Sequence, residues 1–173
     1  FWSLGRALDF CFIGRHMSKA VRTKATQLDD VAKSIIQQLQ IDGRRSYSEI
    51  GKVIGLSEAA VRQRVQKLTE TGVLQIVAVT DPMQLGFFRQ AMIGIRCTGD
   101  TRSIAESIAA LSETDYVVHT AGSFDILVEV ICEDDDEFIE LLNSKIRSLP
   151  GVTSTETFVY LKLHKQFYNW GTR

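Results

Sequence analysis

The stretch Ser46–Gly72, SYSEIGKVIGLSEAAVRQRVQKLTETG, decides how the first half of this 173-residue chain is built. Ser46 followed three residues later by Glu49 is a capping box, in which each side chain satisfies the other residue's free backbone N–H. It predicts a short helix over Tyr47–Ile54, with Ile50, Val53 and Ile54 turned inward. Gly55 supplies a left-handed stop, Leu56 enters the core, and Ser57 caps a second helix. That helix runs to about Thr71 before Gly72 ends it. Upstream, Leu28, Val31, Ile35 and Leu39 recur at helical spacing and predict a helix over Leu28–Gln40.

Two helices joined by so tight a turn form a helix-turn-helix. Val61, Val65 and Leu68 make the buried stripe of the second helix, so Glu58, Ala59, Arg62, Gln63 and Gln66 occupy its open face. In this motif the first turns of that helix enter the major groove of DNA. Ala59 permits close approach and offers a methyl to thymine; Arg62 can fork onto guanine, Gln63 onto adenine, and Glu58 can accept from cytosine N4. Arg44, Arg45, Lys52, Arg64 and Lys67 lie where phosphates would be neutralised. The competing reading is a solvated helix in a three-helix bundle that binds only protein, and the spacing leaves both open.

The charge pattern leans toward DNA. From Arg15 to Gln75 there are 11 Lys or Arg against 6 Asp or Glu, a net +5; from Ile76 to Arg173 there are 8 against 14, a net −6. A basic first half and an acidic second half suggest one domain for a polyanion and another for something else. Hydrophobic residues at 45% and charged ones at 24% describe a water-soluble globular chain, and two prolines argue against long disordered linkers. Cys11, Cys97 and Cys132 are widely spaced and read as reduced thiols in a cytoplasmic protein. His16, His119 and His164 lack metal-ligand spacing. No apolar run approaches the roughly 20 residues that a membrane-spanning helix needs.

Beyond Asp81-Pro82 the chain alternates cleanly. Strands are expected over Ala91–Cys97, Tyr116–Thr120, Ile126–Ile131 and Thr153–Leu163, with helices over Thr101–Leu111 and Asp134–Leu149. This β-α-β-β-α-β order predicts an antiparallel four-stranded sheet with two helices on one face. The other face then needs a second subunit, with Val128, Val130, Phe158 and Tyr160 as its expected apolar residues. Glu133–Glu137 has the composition of a metal site, but a run of carboxylates in a first turn also offsets the helix N-terminal charge, and that capping role is expected. In Ala121-Gly-Ser-Phe-Asp125, Gly122 can let backbone N–H groups face a small anion and Asp125 can pair with an ammonium. An ordinary hairpin turn uses the same residues.

The two halves together resemble the Lrp/AsnC (feast/famine) transcription regulators. The matching pieces are LDDVAKSIIQQLQIDGRRSYSEIGKVIGLSEAAVRQRVQKLTETGVL, GSFDILVEV and LPGVTSTETFVYL, spanning about Leu28 to Lys165 in the family's order. The resemblance implies an α+β fold: an N-terminal winged helix-turn-helix of three helices, a connecting strand, and a C-terminal ferredoxin-like β-α-β-β-α-β ligand-sensing domain. It implies a recognition helix over Ser57–Leu68, with Ser57 among the DNA contacts. It also implies an effector loop at Gly122 and Asp125, with Val118, Thr120, Ser123 and Phe124 lining the pocket. Homodimers assembling to an octamer follow from the family, as does an amino-acid effector in place of any cofactor, and dimer symmetry implies a near-palindromic double-stranded DNA operator. Glu58-Ala59-Ala60 stands where many members carry Pro and Thr, so base preference does not transfer.

The expected organisation is an extension or added remnant over 1–17, a helix-turn-helix domain over 24–75 and a connecting strand over 76–84. A sensing and oligomerisation domain over 85–166 and a tail over 167–173 complete it. The expected function is a cytoplasmic, nucleoid-associated transcription regulator tuned by an amino acid. The alternatives are an architectural DNA-binding protein without an effector and the regulatory subunit of an amino-acid metabolic enzyme. Against the last, no nucleophile–base pair, phosphate loop or metal set is visible.

Overall fold

The computed structural model describes residues 28–166, so the expected extension over 1–17 and the tail over 167–173 lie outside the described residues. The chain forms two compact units that meet in sequence between Ala78 and Val79.

The first unit holds three helices. α1 spans Asp30–Ile41 and is capped by Asp29, whose carboxylate accepts from the Ala32 N–H. A polar cap at Asp29 explains why the helix begins later than Leu28. α2 spans Tyr47–Ile54, with both arms of the Ser46–Glu49 capping box made. α3 spans Glu58–Glu70 and is capped by Ser57. Ile35, Leu39, Ile50, Val61 and Val65 form the core, with Ile54 and Leu56 packed against it.

Val53 departs from expectation: it is 57% exposed. The reason lies at Gly51, which is buried and so close to the turn that an added Cβ would sit 2.4 Å from the Leu56 carbonyl oxygen. That close approach rotates the buried face of α2 toward Tyr47, Ile50, Gly51 and Ile54, leaving Val53 on the far flank. Gly55 closes the turn at φ 75°, and the Leu56 N–H donates to the Gly51 carbonyl at 2.9 Å.

The connecting strand expected over 76–84 and the strands of a wing are not formed: residues 74–81 carry no strand and Pro82–Leu85 is a helical turn. Ile76, Val77 and Val79 are exposed, and no described residue offers a ladder to residues 74–80. A strand exists through its neighbour's backbone groups, and this segment has none among the described residues.

In the second unit a short turn, Pro82–Leu85, leads into β1, Arg89–Cys97. α4 (Thr101–Ala109), β2 (Thr114–His119), β3 (Ile126–Cys132), α5 (Asp135–Glu140) and β4 (Val152–Val159) follow. α5 continues as a wider i→i+5 turn over Leu141–Ile146, shorter in sum than the single helix expected to Leu149. The acidic run caps α5: Asp134 accepts from the Glu137 N–H, and Asp135, Asp136 and Glu137 fill the first turn. The sheet is fully antiparallel in the order β2-β3-β1-β4.

One sheet face carries Ala91, Ile93, Ile95, Ile126, Val128, Val130 and Cys132 against Ile104, Ile108, Leu141 and Ile146. Val128 and Val130 are therefore fully buried beneath the helices, not on the open face as expected. The near-continuous apolar run Ile126-Leu-Val-Glu-Val-Ile-Cys hides its alternation, and only Glu129 marks the phase. Register places Leu127, Glu129, Tyr116, Met92, Gly94, Arg96 and Phe158 on the opposite face. Phe158 is 45% exposed there, as expected. β4 ends at Val159 rather than Leu163, because Val159 faces Ala91 near the start of β1 and little strand remains to pair with.

Candidate nucleic-acid interface and ligand loop

The helix-turn-helix surface is built from α3 outward. Ser57 takes the Ala60 N–H on its hydroxyl at 3.3 Å, so it serves as a cap. One turn on, the Glu58 carboxylate accepts from the Arg62 guanidinium at 2.6 Å, an i,i+4 pair with both side chains more than half exposed. The same guanidinium lies 5.2 Å from the centre of the Tyr47 ring. Arg62 is thus held between a carboxylate and an aromatic face, which fixes it over the first turns of α3. Ala59, Gln63 and Lys67 are exposed beside it, and Gln66 donates to Glu70 at 2.8 Å.

Two of the cations expected on phosphates are engaged within the fold. Arg64 turns back to Asp29 at 2.7 Å, tying α3 to the cap of α1. That hydrogen bond, with the Ala32 N–H, holds the Asp29 carboxyl below its ordinary value. Arg45 donates to the Gln38 side chain. Arg44 and Lys52 are exposed, and the Arg44 N–H donates to Asp42 at 2.9 Å. The sequence reading used Tyr47 only as the start of α2; its ring under Arg62 is visible only in the fold.

At the far corner of the sheet, residues 120–125 form a tight loop. The Thr120 N–H donates to the Asp125 carbonyl at 2.9 Å, and its hydroxyl donates to the Phe124 carbonyl at 2.5 Å. Asp125 donates its N–H to the Ile95 carbonyl and takes the Cys97 N–H on Oδ2 at 2.7 Å, pinning β3 to the end of β1. Gly122 is exposed, has no left-handed φ, and has open space where a Cβ would stand. Its conformation does not demand glycine; the missing side chain leaves the loop backbone bare. Val118 lies half-buried on β2, on the open face of the sheet.

Three neighbours complete this corner: Gly94 and Arg96, which the sequence reading did not name, and Phe158, which it placed on the open face but not at this loop. The Phe124 ring lies over Gly94 so closely that a Cβ there would be 2.7 Å from it. Phe158 meets that ring edge-on, centroids 6.1 Å apart. The Arg96 guanidinium lies over the Phe124 ring, 4.6 Å from its centre, and donates from Nε to the Ser123 carbonyl at 2.8 Å. Alternation along β1 was the available signal, since it places Gly94 and Arg96 on one face. Nearby, burial pushes the Cys97 thiol up, reinforced by the Asp125 charge. Burial and surrounding carboxylates push Cys132 to about 11, so both thiols stay protonated near neutral pH.

Comparison with known proteins agrees with this layout. An AsnC-type helix-turn-helix domain model matches residues 28–69, and a C-terminal dimeric alpha+beta barrel domain model of AsnC-type regulators matches residues 90–173. The HTH-type transcriptional regulator FL11 of Pyrococcus horikoshii is 36% identical over 80% of this chain and 93% of its own. Among solved structures, Escherichia coli AsnC superposes with a TM-score of 0.72 at 26% identity, covering 82% of this chain and 97% of that one. The regulator NMB0573 from Neisseria meningitidis, solved as a complex with L-Met, gives 0.72 at 25%, covering 81% and 94%. No helix among the described residues is long and apolar enough to cross a membrane. The chain belongs to the Lrp/AsnC family and is a DNA-binding transcriptional regulator, not an enzyme.

Proposed function

We propose that this regulator reads a specific, near-palindromic DNA operator and that an amino acid or related metabolite modulates its DNA binding or its assembly. The observation that carries the reading is the preset surface of α3. Arg62 is clamped by Glu58 and Tyr47 beside exposed Ala59 and Gln63, which suits base-edge contact. Ser57, Gln66, Lys67 and Arg44 flank it, while Arg64 and Arg45 are partly engaged on Asp29 and Gln38 and keep further N–H donors for phosphates.

A single four-stranded sheet with helices on one face cannot close on itself, and two such sheets facing each other make an eight-stranded barrel. The dimer places two α3 helices on half-sites about 34 Å apart, or a multiple of that. Four such dimers in an octamer, in the cytoplasm and on the nucleoid, complete the proposal.

The effector is assigned to the sheet corner of Val118, Thr120, Gly122, Ser123, Phe124 and Asp125, supported by the bare backbone at Gly122 and by the L-Met complex of the Neisseria relative. A tenfold change in DNA affinity requires the effector to prefer one state by only about 1.4 kcal/mol.

Gel-shift titration of wild type and Arg62→Ala on operator and random DNA, with and without each amino acid, tests both halves. Loss of one good base contact weakens operator binding by roughly 1–3 kcal/mol and leaves random-DNA binding in place. An unchanged specific-to-nonspecific ratio sinks the reading role of Arg62. Insensitivity of both DNA binding and assembly to all twenty amino acids sinks the sensing role and leaves an architectural protein.

A further inference from the structure

We propose that Arg96, on β1, receives the α-carboxylate of the effector, an assignment that rests on the amino-acid reading of the 118–125 corner. Three observations carry it. The guanidinium is immobilised before any ligand arrives, stacked 4.6 Å from the Phe124 ring centre and bonded through Nε to the Ser123 carbonyl. Those two partners belong to the loop itself, so the cation is part of that corner. Second, the cation has no anion: among the described residues no carboxylate lies within ion-pairing distance of Arg96. The loop's own acid, Asp125, turns away to the Cys97 N–H. Third, donors remain. An arginine carries five N–H groups, and here one goes to Ser123 and one to the Ser154 hydroxyl at 3.4 Å.

A planar guanidinium that is already ordered, and that meets no carboxylate among the described residues of its own chain, fits a carboxylate, which it can grip through two parallel hydrogen bonds at small entropic cost. Arg96 then takes the acid end of a zwitterion, and Asp125, whose Oδ1 carries no hydrogen bond among the described residues, takes the ammonium. Arg96 sets the ligand class: free α-amino acids are accepted, and amines or amides of the same side chain are refused. Gly94 matters because Phe124 can lie flat over the sheet, and so carry Arg96, only where no Cβ intervenes.

The experiment is calorimetry on the full-length chain with the twenty standard amino acids, and with the carboxamide of each that binds. Wild type is expected to hold the acid roughly ten- to a hundred-fold more tightly than the amide, as for a charge-assisted hydrogen-bonded pair. Arg96→Gln is expected to erase that ratio while remaining a folded dimer, and Arg96→Lys to restore part of it. If Arg96→Gln fails to fold, the acid-to-amide ratio of wild type still decides, since equal affinities overturn the assignment. Retention of the ratio in Arg96→Gln also overturns it. A weaker dimer with an unchanged ratio assigns Arg96 to the subunit interface instead. Absence of binding by any of the twenty to wild type defeats the effector reading itself, a result distinct from the others.

Discussion

Replacing Gly51 by alanine tests the packing that sets the angle between the two helices of the DNA-reading motif. In a free helix the change is favourable by about 1 kcal/mol, because glycine is the poorer helix former. Within this fold the added Cβ lands 2.4 Å from the Leu56 carbonyl oxygen and 3.4 Å from its carbon. The first distance is roughly 1 Å inside ordinary van der Waals contact. The offending atom is backbone, and it cannot swing away. Leu56 is fastened by its N–H to the Gly51 carbonyl at 2.9 Å and preceded by Gly55 at φ 75°.

Overpacking of this kind costs about 1–3 kcal/mol, and the rigid turn puts it at the upper end. After the propensity gain, a net loss of about 2 kcal/mol is expected, a fall on the order of 10 °C in the melting of the helix-turn-helix unit. Thermal denaturation followed by helical circular dichroism measures it. DNA affinity should fall in parallel, since α2 and α3 can relieve the clash only by splaying. A variant as stable as wild type, with unchanged operator affinity, would refute the claim that the Gly51–Leu56 contact fixes the motif.

Other outcomes follow from equally local features. Ser46→Ala removes the hydroxyl arm of the capping box, leaving the Ser46 backbone N–H on the Glu49 carboxylate, and should lower stability by about 0.5–2 kcal/mol in chemical denaturation, with α3 unaffected. Gly94→Ala should push the Phe124 ring off the sheet, and with it Arg96. Loss of amino-acid response is expected, with the melting temperature within a few degrees of wild type, read by calorimetry and thermal scanning. Glu113, at 9% side-chain exposure, is burdened most by desolvation, yet the hydrogen bonds from Lys145, its own backbone N–H and Ser112, with the Lys145 charge, together outweigh this and leave its pKa below the ordinary value. A carboxylate depressed on folding contributes stability in full above the unfolded value near ~4.3 and loses it as pH falls through the lower folded value. Glu113→Gln should therefore flatten the acid limb of a stability-versus-pH curve below about pH 4.5, and an unchanged limb would show that the pair contributes nothing.

Much of this molecule is legible in one dimension. Capping residues announce their helices because the interactions are local: Ser46 with Glu49, Ser57 with Ala60, and Asp134 with Glu137 all act within three residues. The stripe of Val61, Val65 and Leu68 needed only the helical period to be placed. Where a pattern lacks contrast, the reading slips by one residue: Val128 and Val130 were sent to the wrong face because Ile126–Cys132 is apolar at every position but Glu129. Residues 74–80 slipped for another reason, since β-propensity says what a segment suits and not whether a partner is at hand. Val53 slipped because two inward positions looked like three until Gly51 turned the helix.

Local spacing and chemistry thus determined on their own the two-part plan, the helix-turn-helix and the order of strands and helices, because each depends on residues a few positions apart. The tertiary structure alone decided what the functional side chains do. Only folding brings Tyr47 under Arg62, Asp29 to Arg64, Gly94, Arg96 and Phe158 around Phe124, and Arg96 to Ser123, 27 residues away in sequence. Charge and alternation can nominate such residues, but whether a cation is spent within the fold or left waiting for a ligand depends on distances that exist only in three dimensions.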